Sequence, residues 1–82
     1  MEHLIITFHQ LTDALAFEEA GKPLDESLRL IPVPRAISSS CGLAGKTVLL
    51  LEDVQKLVEE KALSVEGIYQ PNGPLYEKLW GE

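Results

Sequence analysis

The amino-acid sequence predicts an α+β protein, folded as a ferredoxin-like βαββαβ two-layer sandwich. Short apolar runs rich in β-branched residues alternate with two segments whose apolar positions recur at helical spacing, which gives the order β-α-β-β-α-β. The length of 82 residues allows one domain with one modest core. Two helices are expected to cover one face of the sheet and to leave the other face open for a partner.

The first strand and the first helix are predicted near the start of the chain. Residues 3–8, HLIITF, form a compact β-branched and aromatic run that is typical of a buried strand. In residues 11–20 the apolar positions follow helical spacing, with Thr12 or Asp13 as the N-cap. Gly21 comes next and indicates that this helix ends there.

The second strand is predicted at residues 28–33, LRLIPV, where apolar residues alternate with others. Proline cannot donate a backbone hydrogen bond to a neighbouring strand. Pro32 and Pro34 therefore require an edge strand or the end of a strand. A serine-rich connection at residues 35–41 follows.

The second helix has an ambiguous start. Apolar residues between 50 and 58 follow helical spacing, and the charged residues among them form a solvated side. In the favoured interpretation Thr47 is the N-cap and a short strand occupies residues 42–46. In the alternative, residues 47–51, TVLLL, are the strand and the helix begins near Glu52.

The last predicted strand is SVEGIY, residues 64–69, which completes a domain of residues 1–70. Residues 71–82 are predicted as a C-terminal tail that opens with a turn at Asn72-Gly73. A short helix in this tail would fold onto the domain or contact another subunit. One face of that helix would carry Tyr76, Leu79 and Trp80.

The composition argues against several classes of protein. A net charge of −6 disfavours binding to nucleic acid or to an anionic membrane. No apolar run is long enough to span a bilayer, and MEHLIITFHQ lacks the basic cluster of a signal peptide, so a cytoplasmic protein is expected. The single cysteine allows no internal disulfide. No metal site is predicted, because His3 and His9 have no third ligand in register.

The single cysteine, Cys41, lies in the stretch PVPRAISSSCGLAG. Small and flexible residues surround the thiol, a setting that a structural cysteine does not need. All thirteen acidic residues lie outside residues 27–51, whereas Arg29, Arg35 and Lys46 lie inside that window. The cysteine therefore occupies the acid-free, basic stretch of an acidic protein.

The segment PRAISSSCGL, from Pro34 to Leu43, follows an upstream LIITF strand and an ALAFEEA helix and precedes a VEGIY strand. In this combination the chain resembles the selenium/sulfur carrier protein-like family of short bacterial and archaeal proteins, over roughly residues 4–69. The resemblance implies a carrier or redox role for Cys41, which matches the cysteine of the family motif. It does not cover the tail from Pro71 onward.

The residues around the cysteine suit sulfur or selenium chemistry, in which the thiolate is the attacking form. Consecutive backbone N–H groups of a Ser-Ser-Ser-Cys-Gly turn can cradle an anion, the hydroxyls can donate, and Arg35 adds positive charge. Gly42 leaves room for the cysteine of a donor protein. The predicted site consists of Cys41 as the chemical residue, supported by Arg35, Ser38, Ser39, Ser40 and Gly42.

The leading hypothesis is a small carrier that holds a persulfide or perselenide on Cys41. The donor would be a protein such as a cysteine desulfurase, and a second protein would be the acceptor. No cofactor is expected, and without a second cysteine the chain is not expected to be a stand-alone enzyme.

Three alternatives stay open at this point. The acid-free loop could dock an anion or a protein without chemistry, or the thiol could be a redox sensor. A cysteine that is simply a small buried hydrophobe is the third. The sequence does not decide the oligomeric state, and a homodimer is one option.

Overall fold

The structure is a computed structural model that describes residues 3–81. Two helices and a five-stranded antiparallel sheet make up this part of the chain, so the predicted α+β class is confirmed. The strands lie in the order β2-β3-β1-β4-β5. The elements are β1 (Leu4–Thr7), α1 (Leu11–Gly21), β2 (Arg29–Pro32), β3 (Leu43–Thr47), α2 (Leu51–Glu60), β4 (Gly67–Asn72) and β5 (Leu75–Gly81).

Strand β1 lies in the middle of the sheet and is buried on both faces, as its unbroken apolar sequence requires. Leu4 and Ile6 point to the helix side, where the main core forms around the tilted ring pair of Phe8 and Phe17, with centroids 5.5 Å apart. Both helices contribute to this helix-side core, which consists of Leu4, Ile6, Phe8, Ala14, Phe17, Leu28, Val54, Leu57, Val65 and Ile68.

The face of the sheet away from the helices is not left open at its centre, contrary to the expectation from the sequence. Ile5 and Ala44 are buried there beneath Ile37, which belongs to the connection between β2 and β3. Tyr69 and Tyr76 pack against the same cluster. An apolar residue within the serine-rich connection supplies this cover, and the sequence analysis did not assign it that role.

The prediction that the proline-containing strand lies at an edge is confirmed. Strand β2 is the outermost strand beside β3, and Pro32 is its last residue, opposite Leu43. The missing N–H of proline therefore leaves no gap inside the sheet.

Neither helix uses the N-cap that the sequence suggested. Helix α1 begins after Gln10, so neither Thr12 nor Asp13 is its N-cap. Helix α2 begins after Leu50, and neither helix has a side-chain cap hydrogen bond. No helix within residues 3–81 is long and apolar enough to cross a membrane.

The start of α2 combines parts of the two interpretations. The strand predicted at residues 42–46 is present as β3, so TVLLL is not the strand. The helix nevertheless begins at Leu51, close to the position that the alternative gave. Thr47 does not cap the helix, because its hydroxyl donates to the carboxylate of Asp25 at 2.6 Å.

Asp25 is a buried carboxylate, with 6% of its surface exposed, that joins the segment before β2 to the end of β3. It accepts hydrogen bonds from the hydroxyls of Ser27 and Thr47 and from the amides of Ser27 and Val48, at 2.6 to 3.0 Å. Burial alone would raise the pKa of this carboxyl, but these donors outweigh burial and lower it to about 2. Among residues 3–81, hydrogen bonds and no ion pair stabilise this charge.

The predicted C-terminal helix is wrong, because residues 75–81 form strand β5 in a hairpin with β4. The turn expected at Asn72-Gly73 falls at Gly73-Pro74, and Gly73 adopts a φ of 63°, a conformation that favours glycine. The sheet therefore continues past residue 70, and the tail extends it by one strand.

Candidate functional site

The connection between β2 and β3, residues 33–42, crosses one end of the sheet and carries the cysteine. A backbone hydrogen bond of 3.1 Å from the amide of Val33 to the carbonyl of Gly42 closes its base. Ile37 is buried on the face away from the helices, whereas Cys41 packs against the helix-side core. We call residues 33–42 the thiol loop. It passes around the end of the sheet and is anchored on both faces.

Two serines fix the second half of the thiol loop. The hydroxyl of Ser39 donates to the carbonyl of Phe8 at 3.3 Å and accepts from the amide of Cys41 at 3.4 Å. Ser40 donates twice to the carboxylate of Glu66, through its hydroxyl at 2.9 Å and its amide at 3.4 Å. The residues next to the sulfur are thereby tied to the ends of β1 and β4.

Glu66 is held in place by its own backbone, since its amide donates to the carbonyl of Thr7 at 2.8 Å. Its carboxylate lies 3.5 Å from Nδ1 of His9. Partial burial works to raise the pKa of Glu66, but the hydroxyls of Ser40 and Ser39, the amide of Ser40 and the nearby His9 prevail and lower it. The contact between Glu66 and Ser40 is therefore a charge-assisted one at neutral pH.

The anion cradle that the sequence suggested is thus engaged within the protein. The amide and the hydroxyl of Ser40 meet the carboxylate of Glu66, and the amide of Cys41 meets the hydroxyl of Ser39. The stretch around Cys41 is free of acids in sequence, but Glu66 brings a carboxylate to it in space.

Within residues 3–81, no hydrogen bond or ion pair joins any of the three cations of the acid-free window to the sulfur. Arg35 is exposed, and its guanidinium forms no hydrogen bond or ion pair within residues 3–81. Arg29 and Lys46 face each other at the end of the β2–β3 pair that is remote from the thiol loop. Support of the thiolate by Arg35 stays a prediction.

The cysteine is free and partly buried, and the glycine after it is exposed. Gly42 has a φ of 83°, and a side chain built there would meet nothing within 4 Å. Ser38 is exposed on the same loop. The backbone next to the cysteine is therefore open to a second protein at Gly42. In the described part of the chain no cluster of three or more His, Cys, Asp or Glu residues could hold a metal.

The site predicted from the sequence included neither Glu66 nor His9, and His9 was expected to pack or to face solvent. Glu66 lies 26 residues from Ser40, and the two meet because β4 pairs with β1 in the register Thr7↔Gly67. The local signal was a lone acid inside the predicted strand of residues 64–69, and Glu66 lies directly before the observed β4. That signal does not indicate a contact with the thiol loop.

Replacing Glu66 by alanine is expected to loosen the thiol loop without unfolding the protein. The lost charge-assisted hydrogen bonds correspond to about 1–2 kcal/mol, and amide exchange at Ser40 and Cys41 should quicken. Glu77→Ala, on the exposed surface of β5, is the matched control and should leave these amides unchanged. Unchanged exchange in Glu66→Ala would mean that the carboxylate does not hold the loop.

Fold and site together define a small α+β protein that presents a single thiol on a loop anchored across the end of its sheet. Residues 3–70 match the family described as "Putative Se/S carrier protein-like", and the chain belongs to that family. The family assignment suggested by the PRAISSSCGL motif is thereby confirmed. No curated protein and no solved structure shows a significant similarity to the chain.

Proposed function

We propose that the protein carries sulfur or selenium as a persulfide or perselenide on Cys41. The observation that carries this proposal is the thiol loop itself. A single free cysteine stands beside an open glycine position, on a loop that buried Ile37 and the contact between Ser40 and Glu66 hold in place. Membership of the Se/S carrier-like family supports the same role.

The transfer needs no outside oxidant or reductant. The thiolate of Cys41 attacks the terminal sulfur of a donor persulfide, the bond between the two donor sulfurs breaks, and the donor cysteine leaves as a thiolate. The terminal sulfur and its proton end on Cys41. The same exchange with a terminal selenium gives the perselenide.

The described residues around Cys41 hold the thiol loop in position more than they supply charge to the sulfur. A donor protein approaches the thiol loop at Gly42, where the space beside the backbone is open. The thiol loop stays in place during the exchange, because Ile37 and Ser40 hold it from the two faces of the sheet. The protein acts as a carrier between a donor such as a cysteine desulfurase and an acceptor, and it does not turn over alone.

Mass spectrometry after incubation with a cysteine desulfurase and free cysteine tests the proposal. The expected result is one added sulfur atom on the peptide that contains Cys41, removed by a reductant. Cys41→Ser should lose the added sulfur completely and keep the fold, because serine fits the same space. Ser64→Ala, a change of an exposed serine outside the thiol loop, is the control and should load normally.

The outcomes separate the candidate functions. A glutathione adduct under oxidant, with no sulfur loading from the donor, would favour a redox sensor. An alkylatable thiol that takes up neither sulfur nor selenium from the donor would contradict the carrier role.

A further inference from the structure

A hollow of about 560 Å³ lies far from the thiol loop, where the end of α1, the start of β2 and the end of β3 meet. Lys22, Arg29 and Lys46 all line it. These are three of the seven lysine and arginine residues in a chain with a net charge of −6. In an acidic protein this concentration of positive charge around one hollow is a candidate binding site.

Two of these cations are placed at a cost to the fold. Arg29 and Lys46 lie directly opposite each other across the β2–β3 pair, and like charges in that position repel. Within residues 3–81, none of the three cations forms an ion pair with an acid. The repulsion is therefore not relieved inside the described chain, and an anion from outside would relieve it.

Within residues 3–81, the acidic groups around the hollow are Glu26, which also lines it, and Asp25 behind its wall. The hydroxyls of Ser27 and Thr47 both donate to Asp25, so their protons are not free for a hydrogen bond to a ligand. Three cations face two carboxylates, one of which is buried and satisfied. An anionic ligand would be held mainly by the guanidinium and the two ammonium groups.

We propose that this hollow binds a phosphorylated small molecule. Guanidinium groups bind phosphate oxygens in a bidentate manner, and lysines add point charges. The volume lies in the range of small-molecule sites, about 300–1,000 Å³. His3 is the one aromatic residue among those that line the hollow, and the charged groups of the lining are suited to a phosphate. The site lies at the opposite end of the β2–β3 pair from Cys41 and does not depend on the proposed function.

Amide NMR spectra of the full chain during titration with inorganic phosphate test the site, with sodium chloride added to equal ionic strength as the reference. Phosphate should shift the amides of residues 22–29 and 46–48, and chloride should not. Arg29→Gln is expected to weaken phosphate binding about tenfold, the loss typical of a hydrogen-bonded charge. Glu26→Gln should tighten binding, because it removes a negative charge from the wall.

Lys56→Gln is the matched control, since Lys56 pairs with Glu60 on the surface of α2 and should bind phosphate as the parent does. Lys46→Gln without phosphate should be at least as stable as the parent, because the repulsion from Arg29 is gone. Equal shifts in phosphate and chloride, or unchanged binding in Arg29→Gln, would overturn the proposal. Binding of phosphate esters without binding of inorganic phosphate would mean that another part of the ligand is recognised. That result would also overturn the proposal.

Discussion

Replacement of Asp25 by alanine is expected to lower the free energy of unfolding by about 3 kcal/mol, the upper range for hydrogen bonds to a charged group. The buried carboxylate accepts four hydrogen bonds, and these come from Ser27, Thr47 and Val48. Its loss leaves buried donors unsatisfied and releases the connection before β2 from the end of β3. Denaturation by urea measures the change.

The same carboxylate gives the protein a characteristic acid sensitivity. The pKa of Asp25 is about 2 in the folded chain, below its ordinary value of 3.8. A depressed pKa stabilises the fold fully above the ordinary value, and the contribution is lost as the pH falls from about 4 to 2. This loss is about 2 kcal/mol, and Asp25→Asn should not show it.

Asp53→Asn is the control for both measurements. Asp53 is exposed in the first turn of α2, so its replacement should cost less than about 1 kcal/mol. If Asp25→Ala and Asp53→Asn were equally stable, the hydrogen bonds of Asp25 would not stabilise the contact between the segment before β2 and the end of β3.

Replacement of Ile37 by alanine should have the second largest effect, a loss of about 2–3 kcal/mol in the free energy of unfolding. Ile37 is 5% exposed and covers Ile5 and Ala44 on the face away from the helices. Removal of its side chain leaves a cavity and detaches the first half of the thiol loop. Faster amide exchange throughout residues 35–41 is the expected local effect.

Leu75→Ala is the matched large-to-small control, because Leu75 is 67% exposed at the start of β5. It should change neither stability nor exchange in the thiol loop. A stability loss in Ile37→Ala without faster exchange at residues 38–41 would show that the cysteine is held independently of this anchor.

The sequence predicted those helices and strands whose apolar residues show a regular spacing within the element itself. The buried central strand, both helices and the edge position of the proline strand follow from spacing and from proline chemistry. Strand β5 was mistaken for a helix because Tyr76, Leu79 and Trp80 have helical spacing. An irregularity between Ile68 and Tyr69 shifts the pairing, and Leu79 and Trp80 then both lie on the helix side. A shift in strand pairing of this kind cannot be predicted from the sequence of β5 alone.

Only those site residues that are adjacent in the chain could be predicted from the sequence. The motif located Cys41 and its serines, because they are adjacent in the chain. The partners of those serines, Phe8 and Glu66, come from other strands, and their positions depend on sheet register. The predicted cap of α2 was wrong for a similar reason, since the hydroxyl of Thr47 donates to Asp25 in a tertiary contact.

The proposed carrier role requires that the folded thiol loop presents the sulfur of Cys41 to other molecules. The rate of alkylation of Cys41 at neutral pH tests this most directly, measured in the folded protein and in a peptide of residues 36–44. The folded protein should react in a single phase at least as fast as the peptide. A reaction more than about tenfold slower, limited by unfolding, would mean that the fold shields the sulfur and would contradict the carrier role.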